Sequence, residues 1–266
     1  MLLNTLNFNN FKIEQKEFNF NLNSNKDVLV LPCPLTLTIG AENKNFNIFD
    51  VSDLSEQNLN NQLTRFNKNG KINIMFLNDV VNFEGDFDVI VPFCKTNKVK
   101  LVVKAGYSLN EMGECDKLFG KTPIDLLEEF GVLDLEPIIL SGAKLEKSDI
   151  EKLSYYNATV CLDLSNDLLN GNGVAPIVTM LKNNLTVMFN VRQDVFEEIK
   201  LAFMLTKGVY NCDLQEETVL KMAFLNGFKV FNVAMDNYMV IKCENKNLLK
   251  NLVLNTNKNM ILSFLN

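Results

Sequence analysis

The chain contains no histidine and no tryptophan. Without imidazole it lacks the side chain most used to shuttle protons near neutral pH and to bind transition metals. Acid–base or metal chemistry would have to rest on carboxylates, thiols, amines and amides. Cysteine is sparse: Cys33, Cys94, Cys115, Cys161, Cys212 and Cys243 form no CxxC pair, and no signal peptide precedes them. They read as reduced, mostly buried thiols of a cytoplasmic protein. The longest apolar runs, such as "VLVLP" and "EPIIL", fall far short of the roughly 20 residues that span a bilayer. Positive charge is in deficit, with 26 Lys and Arg against 32 Asp and Glu, and the lysines are scattered. Neither a membrane nor a nucleic acid is an expected partner.

What is present is apolar and periodic. A chain of 266 residues at 47% hydrophobic is long enough to bury a single core. The first thirty and last thirty residues alternate loosely and read as antiparallel strands that meet in one small accessory sheet. This divides the chain into residues 1–30, a central unit 31–232, and 233–266. Within the central unit, apolar runs alternate with amphipathic helices, the pattern of a parallel sheet. Strands are expected at 27–32, 71–78, 87–93, 98–105, 137–142, 158–164 and 185–191. Seven such runs approach the eight of a TIM (β/α) barrel.

Helices are expected at 122–130, capped by Thr122 with Pro123 in the first turn, and at 148–156, where Ser148 and Glu151 form a capping box. Two more are expected at 195–207 and 215–226, stopped by Gly208 and Gly227. In the first of these, Phe196, Ile199, Phe203 and Met204 form an apolar face that reads as barrel packing. Only eight residues separate 71–78 from 87–93, too few for a crossover helix. The expectation is therefore a reduced or distorted barrel.

Five stretches in order, "GKTPIDLLEEFGVL", "LEKSDIEKL", "SNDLLNGNGVAPIVTMLKNN", "DVFEEIKLAFMLTKG" and "VLKMAFLNGFKVF", resemble the amidohydrolase superfamily in its metal-dependent deaminase and chlorohydrolase branch. "AENKNF" at 41–46 is further similar to aminofutalosine deaminases. The resemblance implies a divalent metal, zinc or iron among them, held by two histidines after the first barrel strand, one after the fifth, one after the sixth and an aspartate after the eighth. Bound water of lowered pKa would then attack the substrate carbon.

None of those histidines is in this chain. The first pair would fall within Leu35 to Gly40, the fifth-strand histidine near Val103 and Lys104, and the sixth-strand one at Ser141. A further loop histidine would fall at Lys144, and another at Cys161. Asp194 stands too close to the following helix to be read as the eighth-strand aspartate. The vestigial pocket candidates are thus Lys104, Glu111, Ser141, Lys144, Cys161 and Asp163.

Cys161, Asp163 and Glu111 have atom types that zinc accepts, against the plainer reading of a core thiol and solvated carboxylates. Lys104 or Lys144 could form a Schiff base, or simply fill the space and charge of an absent metal. "NGNGVAP" lacks phosphate-loop spacing and reads as the turn before a helix. The leading expectation is an amidohydrolase-like pseudoenzyme with no cofactor. It would act by binding a protein partner, a second copy of itself or a nucleoside-like ligand. The alternative is an active aminofutalosine- or adenosine-type deaminase, or a related hydrolase, with a rebuilt site.

Overall fold

The structure is a computed structural model that describes residues 28–32, 46–67, 70–191, 195–233 and 238–242. Strand β1 (Val28–Pro32) pairs antiparallel with β8 (Tyr238–Lys242) in a sheet of its own. The run at 27–32, expected as the first barrel strand, is therefore not part of the parallel sheet. That sheet comprises β2 (Phe46–Phe49), β3 (Ile72–Leu77), β4 (Lys100–Ala105), β5 (Ile138–Ser141), β6 (Thr159–Leu162) and β7 (Thr186–Phe189), all parallel and in chain order. An unreversed order is that of a barrel wall, whereas a doubly wound sheet reverses at a switch point. The molecule is a partial (β/α) barrel with a small accessory sheet.

Helices α1 (Glu56–Phe66), α2 (Phe87–Asn97), α3 (Leu109–Phe119), α4 (Pro123–Glu129) and α5 (Lys147–Tyr155) supply the crossovers as far as β6. α6 (Leu164–Leu169) and α7 (Ile177–Lys182) join β6 to β7, and α8 (Val195–Tyr210) follows it. Next come α9 (Glu216–Leu220), a π-helical turn (Lys221–Leu225) and α10 (Asn226–Phe231).

"FDVIVPF", expected as a strand, is the body of α2. Phe87, Ile90 and Cys94 are buried while Asp88 and Val89 are exposed, a spacing of three and four that only a helix can bury on one side. The crossover that seemed missing is this helix. "FNIF" at 46–49, which is not among the expected strands, is the edge strand β2.

Three helix ends also differ from expectation. α5 is capped by Glu146 and Asp149 instead of Ser148 and Glu151. α8 runs through Gly208 to Tyr210, with Asn211 left-handed at φ 47° beyond it. Gly227 lies inside α10. Met204 is exposed, so the apolar face of α8 is narrower than the sequence pattern implied.

The sheet has two unlike faces. The outer face, through Leu101, Val103, Ile139, Val160, Leu162 and Val187, packs on the helices in the main core. The inner face presents Phe46, Ile74, Val102, Ile138, Leu140, Cys161 and Met188, and Phe231 of α10 completes that smaller cluster. Phe231 lies 4.9 Å from Phe46 between ring centroids, and Asn226 Nδ2 donates to Val187 O at 2.8 Å. α10 thus covers the free edge of β7 and reaches across to β2. Among the described residues it stands where a closed barrel would continue with further strands.

Candidate functional site

In parallel barrels the C-terminal strand ends carry the chemistry, and polar side chains gather there in this chain. Register places Lys104, Leu140, Cys161 and Met188 in one inward-facing layer across β4 to β7. One step further along, Asp163 follows β6 and Asn190 follows β7, held side by side by the Asn190 N–H donating to Leu162 O at 2.7 Å.

Lys104 is half-buried, its Nζ 3.8 Å from the centre of the Tyr107 ring, a contact that attracts an ammonium. Ser141 ends β5 with φ 80°, a left-handed conformation that costs a non-glycine residue of order 1–3 kcal/mol. Its hydroxyl lies 2.8 Å from both carboxylate oxygens of buried Asp167 and donates to that group. Asn172 Nδ2 donates to the same carboxylate at 2.9 Å. Burial raises the Asp167 pKa, as does nearby Asp163; the bonds from Asn172 and Ser141 and the charge of Lys104 oppose it.

Lys144 is half-buried in the loop after β5, where its N–H donates to Gly106 O at 2.7 Å. Its ammonium lies over Gly173: a Cβ there would come within 2.8 Å of Nζ, and φ is +109°. Only glycine allows this approach. The glycine-rich loop spends its amides internally, Gly171 N–H donating to Leu168 O and Asn172 N–H to Asp167 O. It offers no phosphate cradle.

Cys161 is fully buried in the inner apolar layer, and its thiol pKa is raised well above normal by burial, then by Asp163 and Glu198. Glu111 lies elsewhere, in the first turn of α3. Its Oε2 accepts from Tyr107 N–H at 2.8 Å while buried Oε1 has no partner among the described residues. Burial pushes this carboxyl up to about 7, with Asp79 adding to the effect against the amides of Tyr107, Gly106 and Ser108. Asp167 therefore links Ser141 with nearby Asp163 and Lys104, Cys161 lies in the apolar layer near Asp163, and Glu111 is engaged at the N–H of Tyr107.

Sequence reasoning missed Asp167, Asn190 and Glu198. Strand alternation could have found Asn190, two residues after inward-facing Met188. Asp194, considered in its place, lies outside the described residues. Glu198 joins two of the motifs: its carboxylate accepts from the Ser165 hydroxyl and more weakly from Ser165 N–H. Burial lifts Glu198 to about 7, opposed by those bonds and helped by Asp163.

Fold and strand-end site together define a partial (β/α)-barrel protein with a polar cluster at the C-terminal ends of its strands. Over 124 residues it is 32% identical to a 5-methylthioadenosine/S-adenosylhomocysteine deaminase from Pyrococcus abyssi, covering 43% of this chain and 29% of that protein. It is 25% identical over 150 residues to a 5'-deoxyadenosine deaminase from Methanothermobacter thermautotrophicus, covering 52% and 34%.

Among solved structures, a zinc-bound adenosine deaminase from Xanthomonas campestris superposes with TM-score 0.64 at 14% identity, covering 73% of this chain and 51% of that one. An atrazine chlorohydrolase from Arthrobacter aurescens complexed with zinc and atraton gives 0.63 at 14%, covering 75% and 52%. No family model matches. The amidohydrolase resemblance thus holds in sequence for about half the chain and in fold for about three quarters, while the matched region spans about a third of those curated relatives.

These structures correct the expectation of no cofactor, since chains of this fold are described with bound zinc. The described residues of this chain do not themselves assemble a ligand set: no group of three or more His, Cys, Asp or Glu is placed to hold a metal among them. Asp167 and Glu198 are already engaged with Ser141, Asn172 and Ser165. Residues 33–45 and 192–194, near the first-strand and eighth-strand ligand positions of the resemblance, lie outside the described residues.

Proposed function

We propose that the chain is an amidohydrolase-type deaminase, or the core of one, that acts on the C–N bond of an adenosine-type nucleoside. The observation that carries this reading is the similarity to deaminases of adenosine derivatives over about half the chain. It gains support from the polar strand-end cluster of Lys104, Asp163, Asp167 and Asn190, which sits at the end of the sheet where such barrels react their substrates. Because the matched region covers about a third of those relatives, the activity is a proposal about this chain in its own right. Four described cysteines are free thiols, which supports a reducing, cytoplasmic setting.

The test is direct. Purified protein is incubated with adenosine, 5-methylthioadenosine and S-adenosylhomocysteine, with and without added zinc. Ammonia release and the purine spectrum are followed. Release in excess of the enzyme concentration from any of the three is the expected result. A second reading, a nucleoside binder without turnover, is favoured by the absence of histidine from the sequence. Binding without ammonia under every condition would select it.

A further inference from the structure

We propose that Asn190 determines specificity at this site: together with Asp163 it accepts the amino group of an aminopurine and rejects the oxopurine that deamination produces. This rests on the nucleoside reading above.

Asn190 is 3% exposed, and its Oδ1 has no hydrogen-bond partner among the described residues. An orphaned buried acceptor loses its hydration with nothing in return. The place of this one is informative. The backbone bond to Leu162 O sets Asn190 beside Asp163, itself 2% exposed. Both follow inward-facing residues, Met188 and Cys161, and so continue the inner face of the sheet at its C-terminal edge. Beneath them Cys161, Met188 and Phe231 pack in the apolar, sulfur-rich inner cluster, so that any polar group a ligand offers at this end of the sheet has only this pair to meet.

The remaining orphaned oxygen among the described residues, Glu111 Oε1, belongs to the first turn of α3 and is no part of this pair.

Two oxygen acceptors side by side match the two N–H bonds of a primary aromatic amine. A carbonyl at the same ring position offers only lone pairs and would face them with nothing to share. A site built around a donor discriminates strongly against an analogue that lacks it. Hydrolysis breaks the C–N bond, water supplying the carbonyl oxygen and the nitrogen leaving as ammonia, so the same pair would hold the substrate and release the oxopurine.

Calorimetric titrations with adenosine and with inosine, the adenosine remaining being measured at the end of each, test the assignment. Wild type is expected to bind adenosine at least tenfold more tightly than inosine. Asn190→Leu, which keeps the branching at Cγ and removes the orphan at the expense of a somewhat larger side chain, is expected to lose that preference while melting no lower than wild type. A residue holding the fold together would show the opposite melting behaviour. Asn190→Ser, a smaller change, reads the preference if the leucine variant fails to fold. An unchanged preference in the variants, or equal binding of the two nucleosides by wild type, overturns the assignment alone. Binding of neither nucleoside by wild type overturns the nucleoside reading with it.

Discussion

The two faces of the parallel sheet are built on different terms. On the outer face a broad apolar core is stitched by side chains from the motifs that carry the family resemblance. Thr122 Oγ1 donates to Asp149 Oδ1 at 2.9 Å. The Lys152 ammonium reaches Asp125 and Glu128, each at 2.5 Å. Ser165 on α6 is tied to Glu198 on α8. On the inner face the apolar cluster is thin, one of its members comes from the far end of the chain, and above it stands a polar group with an unsatisfied acceptor. The resemblance is therefore densest where residues hold helices to one another. The inner face, where a ligand would act, is where the chain departs from the pattern.

The sharpest way to break this comparison is to remove the member of the inner cluster that α10 supplies. Phe231→Ala takes away a ring that bridges β2 and the layer on β7, leaving a cavity beside an otherwise open sheet edge. A loss of about 3–5 kcal/mol in urea unfolding is expected for a buried phenylalanine. If the barrel wall needed no closing element, the loss would be near the bottom of the range for any core truncation.

A smaller effect separates the faces by pH. Glu198, 3% exposed at the boundary between the strand-end cluster and the helical layer, is lifted from 4.5 to about 7 by burial. Its folded pKa lies above its unfolded one, so the native state holds the extra proton. The stability this contributes is complete below about 4.5 and is lost as pH rises through about 7. Carried to stability, that shift is on the order of 3 kcal/mol. Glu111 acts with the same sign. Unfolding free energy should therefore fall between pH 5 and pH 8, and Glu198→Gln should flatten part of that slope. An identical slope in the variant would remove Glu198 from the account.

Much of the fold was legible because local rules and tertiary structure agree. Thr122 and Pro123 cap α4 as their residue types require, and the strands at 98–105, 137–142, 158–164 and 185–191 all exist close to their expected bounds. "FDVIVPF" misled because valine, isoleucine and phenylalanine favour strands by type, whereas burial of Phe87, Ile90 and Cys94 needed helical spacing.

The site was legible only in part, since Ser141 and Asp163 sit at strand ends that the pattern marks. Asp167 and Asn190 stayed hidden for different reasons. Asp167, on α6, acquires its partners from Ser141 at the end of β5 and Asn172 across a turn. Asn190 lies just past the last strand residue, where side-chain direction depends on the pleat running one residue further. Neither the closure of the barrel by α10 nor the orphaned oxygen could be read without knowing which elements are neighbours.

The smallest expected effect sharpens the comparison from the outer side. Thr122 caps α4 by accepting from Asp125 N–H at 3.1 Å, Asp125 accepts from Thr122 N–H at 3.2 Å, and the same threonine hydroxyl bonds to Asp149 on α5. Thr122→Ala removes a cap and an interhelical bond together, for which about 1–2 kcal/mol is expected. Asp149 is buried and its pKa is already raised by desolvation, so losing the donated bond should leave its charged form less favourable still. The loss in Thr122→Ala should therefore be larger at pH 8 than at pH 5, and Thr122→Ser, which keeps the hydroxyl, should restore most of it. If serine fails to restore it, the threonine methyl and not the hydroxyl joins these two helices, and the outer face would be held by packing alone.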